Sequence, residues 1–193
     1  YPLRRQRQMC IRDRTDYTEY GLRFSIDLSA AYFSARLANE RQRISGMMKP
    51  GERLLDLFAG VGPFAITLSG NASLVYANDI NPAAVSLLID NIRLNKKKNI
   101  IPVLADARHL GSILPEESFD RIIMNLPMKS TEFLETAFKL CRRGGMVHFY
   151  TLQSGKGEMA DAIEEYTSGK ISERVVRSYS PAQHHAVYDI EYN

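Results

Sequence analysis

Thiols are scarce in this 193-residue chain: Cys10 and Cys141 are its two cysteines, far apart and without a His or Cys at metal-ligand spacing. That excludes a disulfide scaffold and a zinc site, and both thiols are expected to be reduced and structural. Long hydrophobic runs are also missing. The stretches 54–57 and 122–124 fall far short of the ~20 residues that span a bilayer, and no signal-peptide pattern opens the chain. The expectation is a cytoplasmic protein with no membrane segment. There is no internal repeat or low-complexity tract either. Nor is there a chain-wide excess of charge: of the net +3, the first fourteen residues (Arg4, Arg5, Arg7, Arg12 and Arg14 against Asp13) hold +4, leaving −1 for the rest. This basic leader, residues 1–14, lacks periodicity and breaks abruptly at Thr15. It reads as a disordered RNA-binding arm, a solvated tail, or a stretch not native to the protein.

What is present is one domain's worth of apolar material, 45% of residues, enough for a continuous core. Residues 15–27 alternate as a strand or hairpin, and 15–29 are expected to be a remnant of an upstream RNA-binding region or a linker. Residues 30–48 carry helical spacing ended by Pro50-Gly51. Strands and helices then alternate: strand 54–57 and a helix from Pro63; strand 74–79 and helix 82–95; strand 101–105; strand 119–124 and helix 131–141; strand 146–151 and helix 156–166. Two strand-like runs close the chain, 171–179 and 185–192, with no helix between them. The alternation predicts an α/β fold with right-handed parallel crossovers, and the final pair an antiparallel hairpin. Seven strands with the last one antiparallel is the Rossmann-like arrangement of class I methyltransferases, which the chain resembles from about Asp27 to the C-terminus, with the catalytic domain expected over residues 30–193.

Three predicted strand ends carry polar groups. Asp56 precedes the turn Gly60-Val-Gly62-Pro63-Phe64-Ala65, Asp79 lies nineteen residues after Gly60, and Asp106 follows the third strand. The turn formally satisfies G-x-G-x-x-G/A, so an NAD-binding unit competes. An acid directly ahead of the turn repels a pyrophosphate but suits an ammonium group. A compact ligand touching several strand ends is therefore favoured: S-adenosylmethionine. On that reading Asp56 meets the ammonium group, and Gly60 and Gly62 let the backbone approach the methionine portion. Pro63 opens the next helix, Asp79 accepts the ribose hydroxyls, and Asp106 accepts from the adenine amine. Phe58, Phe64, Ile80, Asn81, Ala107 and Asn125 complete the expected cofactor shell. The plainer alternative has Asp79 and Asp106 simply capping the segments that follow them.

Asn125-Leu126-Pro127 ends the fourth strand, where this fold reaches a methyl acceptor. An amide both donates and accepts, so Asn125 suits a planar base edge, and Pro127 fixes the turn. The Asn/Asp-Pro-Pro-aromatic motif of enzymes that methylate exocyclic amines is absent. Together with Tyr32-Phe-Ser-Ala-Arg36-Leu-Ala-Asn-Glu40-Arg41, Asp56-Leu-Phe-Ala-Gly-Val-Gly-Pro-Phe64, Asp79-Ile-Asn-Pro82, His148-Phe-Tyr150 and Ser178-Tyr-Ser-Pro181, these residues resemble the archaeal and eukaryotic tRNA (guanine-N1)-methyltransferases. The resemblance implies methylation of the guanine 3′ of the anticodon. Guanine N1 holds its proton with a pKa of about 9, so a general base is needed, typically a 10²–10⁴-fold effect.

By the same resemblance Glu40 is the candidate base. Arg36, four residues earlier, would orient it or balance charge developing on guanine O6; Tyr32 would position the purine, and Asn125 hold its edge. An exposed Arg36–Glu40 ion pair with no role is the bland alternative. His148 is expected to be a satisfied core or pocket-wall histidine. His184 and His185, adjacent in a strand, point to opposite faces and cannot share a metal; no metal site is expected. An upstream arginine proposed to assist catalysis in the family has no counterpart here. The partner is tRNA, gripped weakly if upstream RNA-binding domains are missing, and the chain is expected to be a monomer. Aminocarboxypropyl transfer in the wybutosine pathway, methylation of a tricyclic guanine derivative, and a cofactor-binding fragment without activity are the competing functions.

Overall fold

The computed structural model describes residues 14–128, 130–180 and 182–193. The basic leader up to residue 13, Cys10 and Pro181 of the last motif lie outside the described residues. The chain first forms a hairpin, β1 (Arg14–Glu19) with β2 (Leu22–Asp27). Its two-residue turn has Tyr20 at φ 47° and Gly21 at φ 78°, the paired positive values that match strand twist. Phe24 and Ile26 enter the main core. Further along, Asn91 and Asn95 grip the backbone of β2: Ser25 N–H donates to Asn91 Oδ1 at 2.7 Å and Asn91 Nδ2 to Ser25 O at 3.1 Å, while Asn95 does the same with Arg23 at 2.9 and 2.6 Å. Two amides thus stand in for a neighbouring strand. The segment expected to be a remnant or linker is packed into the domain.

The helix expected over 30–48 is shorter. A 3-10 turn at Ala35–Leu37 leads into α1 (Ala38–Met47). Ahead of it, the Asp27 carboxylate accepts from the Ser29 and Ala30 N–H groups, an Asx turn that competes with helix. Phe33 is then drawn out to the rings of Tyr17 and Phe24, 5.1 and 6.2 Å away.

The main sheet contains β3 (Glu52–Asp56), β4 (Ala72–Asp79), β5 (Ile100–Leu104), β6 (Phe119–Met124), β7 (Cys141–Gln153), β8 (Ile171–Ser180) and β9 (Gln183–Glu191). Their order is β5-β4-β3-β6-β7-β9-β8, and β9 alone runs antiparallel to its neighbours. The seven-stranded arrangement with a reversed last strand is as expected. The connecting helices are α2 (Pro63–Leu68), α3 (Pro82–Leu94), α4 (Leu110–Ile113), α5 (Leu134–Leu140) and α6 (Ala160–Glu164). Adjacent strand residues part to opposite faces: Leu54, Ile123 and Val187 join one cluster with Ile44 and Leu88, while Leu55, Ile122 and Tyr188 join another with Phe138 and Ile163. Each fully buried side chain of this kind contributes roughly 1.5–3 kcal/mol.

After β3 the chain winds outward through β4 and β5, then returns to place β6 on the other side of β3. The switch point lies between the ends of β3 and β6, where open α/β sheets bind ligands.

Candidate active site

A turn crosses the carboxyl end of β3. Leu57 N–H donates to Ile123 O, Ala59 N–H to Asn78 O, and Asn78 Nδ2 to Leu57 O at 3.0 Å. Gly60 has φ +55° and donates to Asp79 Oδ2 at 2.7 Å. Gly62, at φ +93°, caps α2 ahead of Pro63, and a Cβ there would stand 2.4 Å from Leu88 Cδ1. Glycine at 62 is therefore required by its packing against Leu88 of α3, whatever approach to a ligand it also permits. Phe64 is likewise a core residue, its ring 5.6 Å from that of Tyr150.

Asp56 is 1% exposed and lies beneath the turn. No hydrogen bond of ordinary geometry reaches either carboxylate oxygen. Burial pushes its carboxyl up to about 7, the nearby Phe58 and Ala65 N–H groups offsetting only part of this. Asp56, expected to meet an ammonium group, is thus held beneath the turn with both oxygens unmatched.

Along the strand ends runs a trough. Its first part, about 200 Å³, lies between Phe58, Ile80, Leu126 and Phe133, with Asp79 and Asp106 among its polar groups and Ala107 in its wall. Phe58 and Phe133 meet edge to face, centroids 4.9 Å apart. Asp79 Oδ1 also accepts from Asn81 N–H at 2.9 Å; each oxygen keeps a second lone pair. Asp106 caps the turn Ala107–His109 and pairs with Arg108, whose hydrogen bonds hold its carboxyl down at about 2. The capping alternative thus describes part of what both acids do. Asn81, expected at the cofactor, caps α3 through Oδ1 and ties Ala30 O through Nδ2 at 2.8 Å.

The second part, about 320 Å³, shares Phe58, Asp79 and Leu126 with the first and adds Tyr32, Asn125, Pro127, Arg177 and His185. Asn125 Oδ1 is buried without a partner. Tyr32 is 68% exposed, at the mouth.

Tyr32, Arg36 and Glu40 do not share a helical face, because α1 begins only at Ala38. Arg36 is exposed, and among the described residues it makes no ion pair with Glu40. Glu40, 5% exposed, instead takes Arg43 on both oxygens, at 2.6 Å to Nη2 and 3.0 Å to Nε, and Tyr150 Oη at 2.8 Å. Arg43 continues to Asp189 at 2.6 Å, and Asp189 to His148 Nδ1 at 2.5 Å. His148 Nε2 meets Arg121 Nη1 at 2.6 Å, and Arg121 meets Glu52. A guanidinium only donates, so Nε2 accepts, and the imidazole is neutral with its proton on Nδ1. Burial lowers the His148 pKa, in agreement. Burial alone would raise Asp189, but His148 and Arg43 together hold it well below the usual carboxylate range. His148 is the satisfied histidine expected. Arg41, next to Glu40, forms a buried ion pair with Glu19 of β1.

Sequence reasoning missed Arg43, Phe133 and His185. Arg43 is three residues from Glu40, a spacing as good as that of Arg36, and Phe133 falls within the helix expected over 131–141. His185 was set aside with His184 once a shared metal was excluded.

A sheet of this order with its trough at the switch point defines the Rossmann-like domain of class I methyltransferases. The model of the TRM5/TYW2 methyltransferase domain matches residues 15–177. The tRNA (guanine(37)-N(1))-methyltransferase Trm5b of Pyrococcus abyssi is 41% identical over 184 residues, 91% of this chain and 54% of that protein. The crystal structure of the M. jannaschii tRNA m1G37 methyltransferase superimposes with a TM-score of 0.87 at 36% identity, covering 95% of this chain and 55% of the other. That of M. jannaschii TYW2 in complex with AdoMet gives 0.82 at 31%, covering 92% and 84%. The chain belongs to the TRM5/TYW2 methyltransferase family. It spans about half the length of the curated relatives it matches, 54% and 53% for the Trm5b proteins of P. abyssi and M. jannaschii.

Proposed function

We propose that this chain is the catalytic domain of an S-adenosylmethionine-dependent tRNA methyltransferase acting at N1 of the guanine 3′ of the anticodon. The observation that carries the reading is the two-part trough: a slot with apolar walls and strand-end carboxylates, opening at Phe58 and Leu126 into a cavity headed by Asn125 and Pro127. The slot suits an adenosine, its purine between Phe58, Ile80, Leu126 and Phe133 and its ribose hydroxyls donating to Asp79. Asp106 and Ala107 border the base edge. Asp56 and Asn125 Oδ1 are buried acceptors without donors beside the turn, and an ammonium-bearing ligand supplies donors. When bound, S-adenosylmethionine provides an electrophilic sulfonium methyl.

In the adjoining cavity Asn125 holds the edge of the guanine, Pro127 fixes the turn that presents it, and Tyr32 shields the mouth. Glu40 takes the N1 proton, and Arg43 and Tyr150 hold its carboxylate in place. The Tyr150 ring packs 5.7 Å from that of His185, which lines the cavity. The similarity to Trm5b of P. abyssi supports guanine N1 as the acceptor, and that to TYW2 with AdoMet supports the cofactor.

Calorimetry with S-adenosylmethionine and with NAD, followed by mass analysis of nucleosides from tRNA incubated with the chain and the methyl donor, tests the reading. The expected result is binding of S-adenosylmethionine and a one-methyl increment on guanosine. An aminocarboxypropyl increment, or preference for NAD, overturns it.

A further inference from the structure

Two buried histidines lie on neighbouring strands, and they are treated oppositely. His148 has both ring nitrogens paired. His185, 2% exposed, has neither Nδ1 nor Nε2 paired, yet it lines the cavity that also holds Asn125 and Pro127. Its cross-strand neighbours are Leu152 of β7 and Arg177 of β8, and the ring of Tyr150 packs on it from the core side. Leaving a buried donor and a buried acceptor unmatched costs stability. An apolar residue of similar size would fill the same place beside Leu152 without that cost, so packing alone gives no reason for a histidine.

We propose that His185 is a contact for the purine itself: one ring nitrogen hydrogen-bonds the base that enters beside Asn125 and fixes its orientation, so that the base is held between an amide and an imidazole. This rests on the trough being an acceptor site, as proposed above. His185 is not assigned the role of proton acceptor. Burial, reinforced by the charge of Arg177, lowers its pKa to about 4, with Glu40 acting weakly the other way. Such a ring is neutral at neutral pH and too weak a base for a proton held with a pKa of about 9. A neutral imidazole does keep one donor and one acceptor, and its β9 backbone is fixed by pairing on both sides.

The experiment observes the His185 ring nitrogens of the full chain by ¹⁵N NMR, with S-adenosylhomocysteine present, while guanosine monophosphate and then an anticodon stem-loop carrying the target guanosine are added. A shift of one His185 nitrogen, with those of His148 unmoved, is expected. No shift with either ligand overturns the proposal, whether or not methyl transfer occurs. His185→Phe and His185→Asn are then compared in methyl transfer. Phe is expected to raise KM for tRNA about tenfold or more while S-adenosylmethionine affinity stays unchanged, and Asn is expected to recover part of the loss. If the unaltered chain methylates tRNA and His185→Phe does so with the same KM, the proposal fails while the functional reading stands. If it binds the stem-loop with a His185 shift but transfers no methyl group, the functional reading fails and this contact stands.

Discussion

Two polar regions meet near Tyr150. On one side the series Glu52, Arg121, His148, Asp189, Arg43 and Glu40 alternates donors and acceptors across four strands and a helix. On the other, at the carboxyl edge, Asp56, Asn78 Oδ1, Asn125 Oδ1 and both nitrogens of His185 are buried and unmatched. Such atoms are costly inside a protein, and here they gather around the glycine turn and the trough, with Thr67 Oγ1 and Arg53 Nε lying elsewhere. Matched polar groups hold the scaffold; on the proposed reading the unmatched ones around the trough mark where a ligand completes the chemistry. Residues of the first region should therefore govern stability, and those of the second activity.

Glu40 is the sharpest challenge to that division, being fully paired and yet proposed as the base. Glu40→Gln is expected to lower turnover by 10²–10⁴-fold with unchanged cofactor affinity, read by single-turnover kinetics. Unchanged turnover would return Glu40 to the scaffold. Arg43→Met leaves Glu40 and Asp189 facing each other in a half-buried setting without a cation, so a loss of roughly 3 kcal/mol is expected in urea denaturation. A loss below about 1 kcal/mol would break the division from the scaffold side.

Asp56 brings pH into the comparison. Burial pushes its carboxyl up to about 7, from an ordinary value of 3.8, so the folded state binds the proton more tightly. The chain is thus favoured at low pH and loses stability as pH rises from about 4 to 7, by roughly 4 kcal/mol at most. Asp56→Asn should remove that slope and make the protein more stable at pH 8, as measured by urea denaturation at both ends of the window. The smallest stability change is expected for Asn125→Ala, within about 1 kcal/mol, because Oδ1 has no partner to orphan. Methyl transfer should nevertheless fall about 10²-fold.

Most of the fold was legible because strand ends and helix starts carry strong local signals. Pro63 and Pro82 each open a helix, and no helical pattern separates β8 from β9. The segment before α1 was not legible, since Phe33 is drawn to the hairpin rings and Asp27 turns the chain, contacts invisible to a 3.6-residue period. The same holds for the site. Asp79, Asp106, Phe58, Asn125 and Pro127 lie along one trough, as strand-end position implied. The partner of Glu40 and the seat of His185 depend on which strands lie side by side, and no spacing encodes that. Gly62 teaches a related lesson, for its glycine is set by Leu88, a residue on another helix.

The pairing of Leu152 with His185 has a mechanical outcome. Leu152 N–H donates to Pro127 O at 3.0 Å, clipping the segment beyond β6 to β7, and Leu152 is itself paired with His185. Asn125, Pro127 and His185 therefore sit on a single hydrogen-bonded plate, whereas Tyr32, which lines the same cavity, belongs to a stretch that pairs with no strand among the described residues. The cavity is a vice with one fixed jaw, and on the proposed reading accommodation to a larger or tilted base falls to the Tyr32 side.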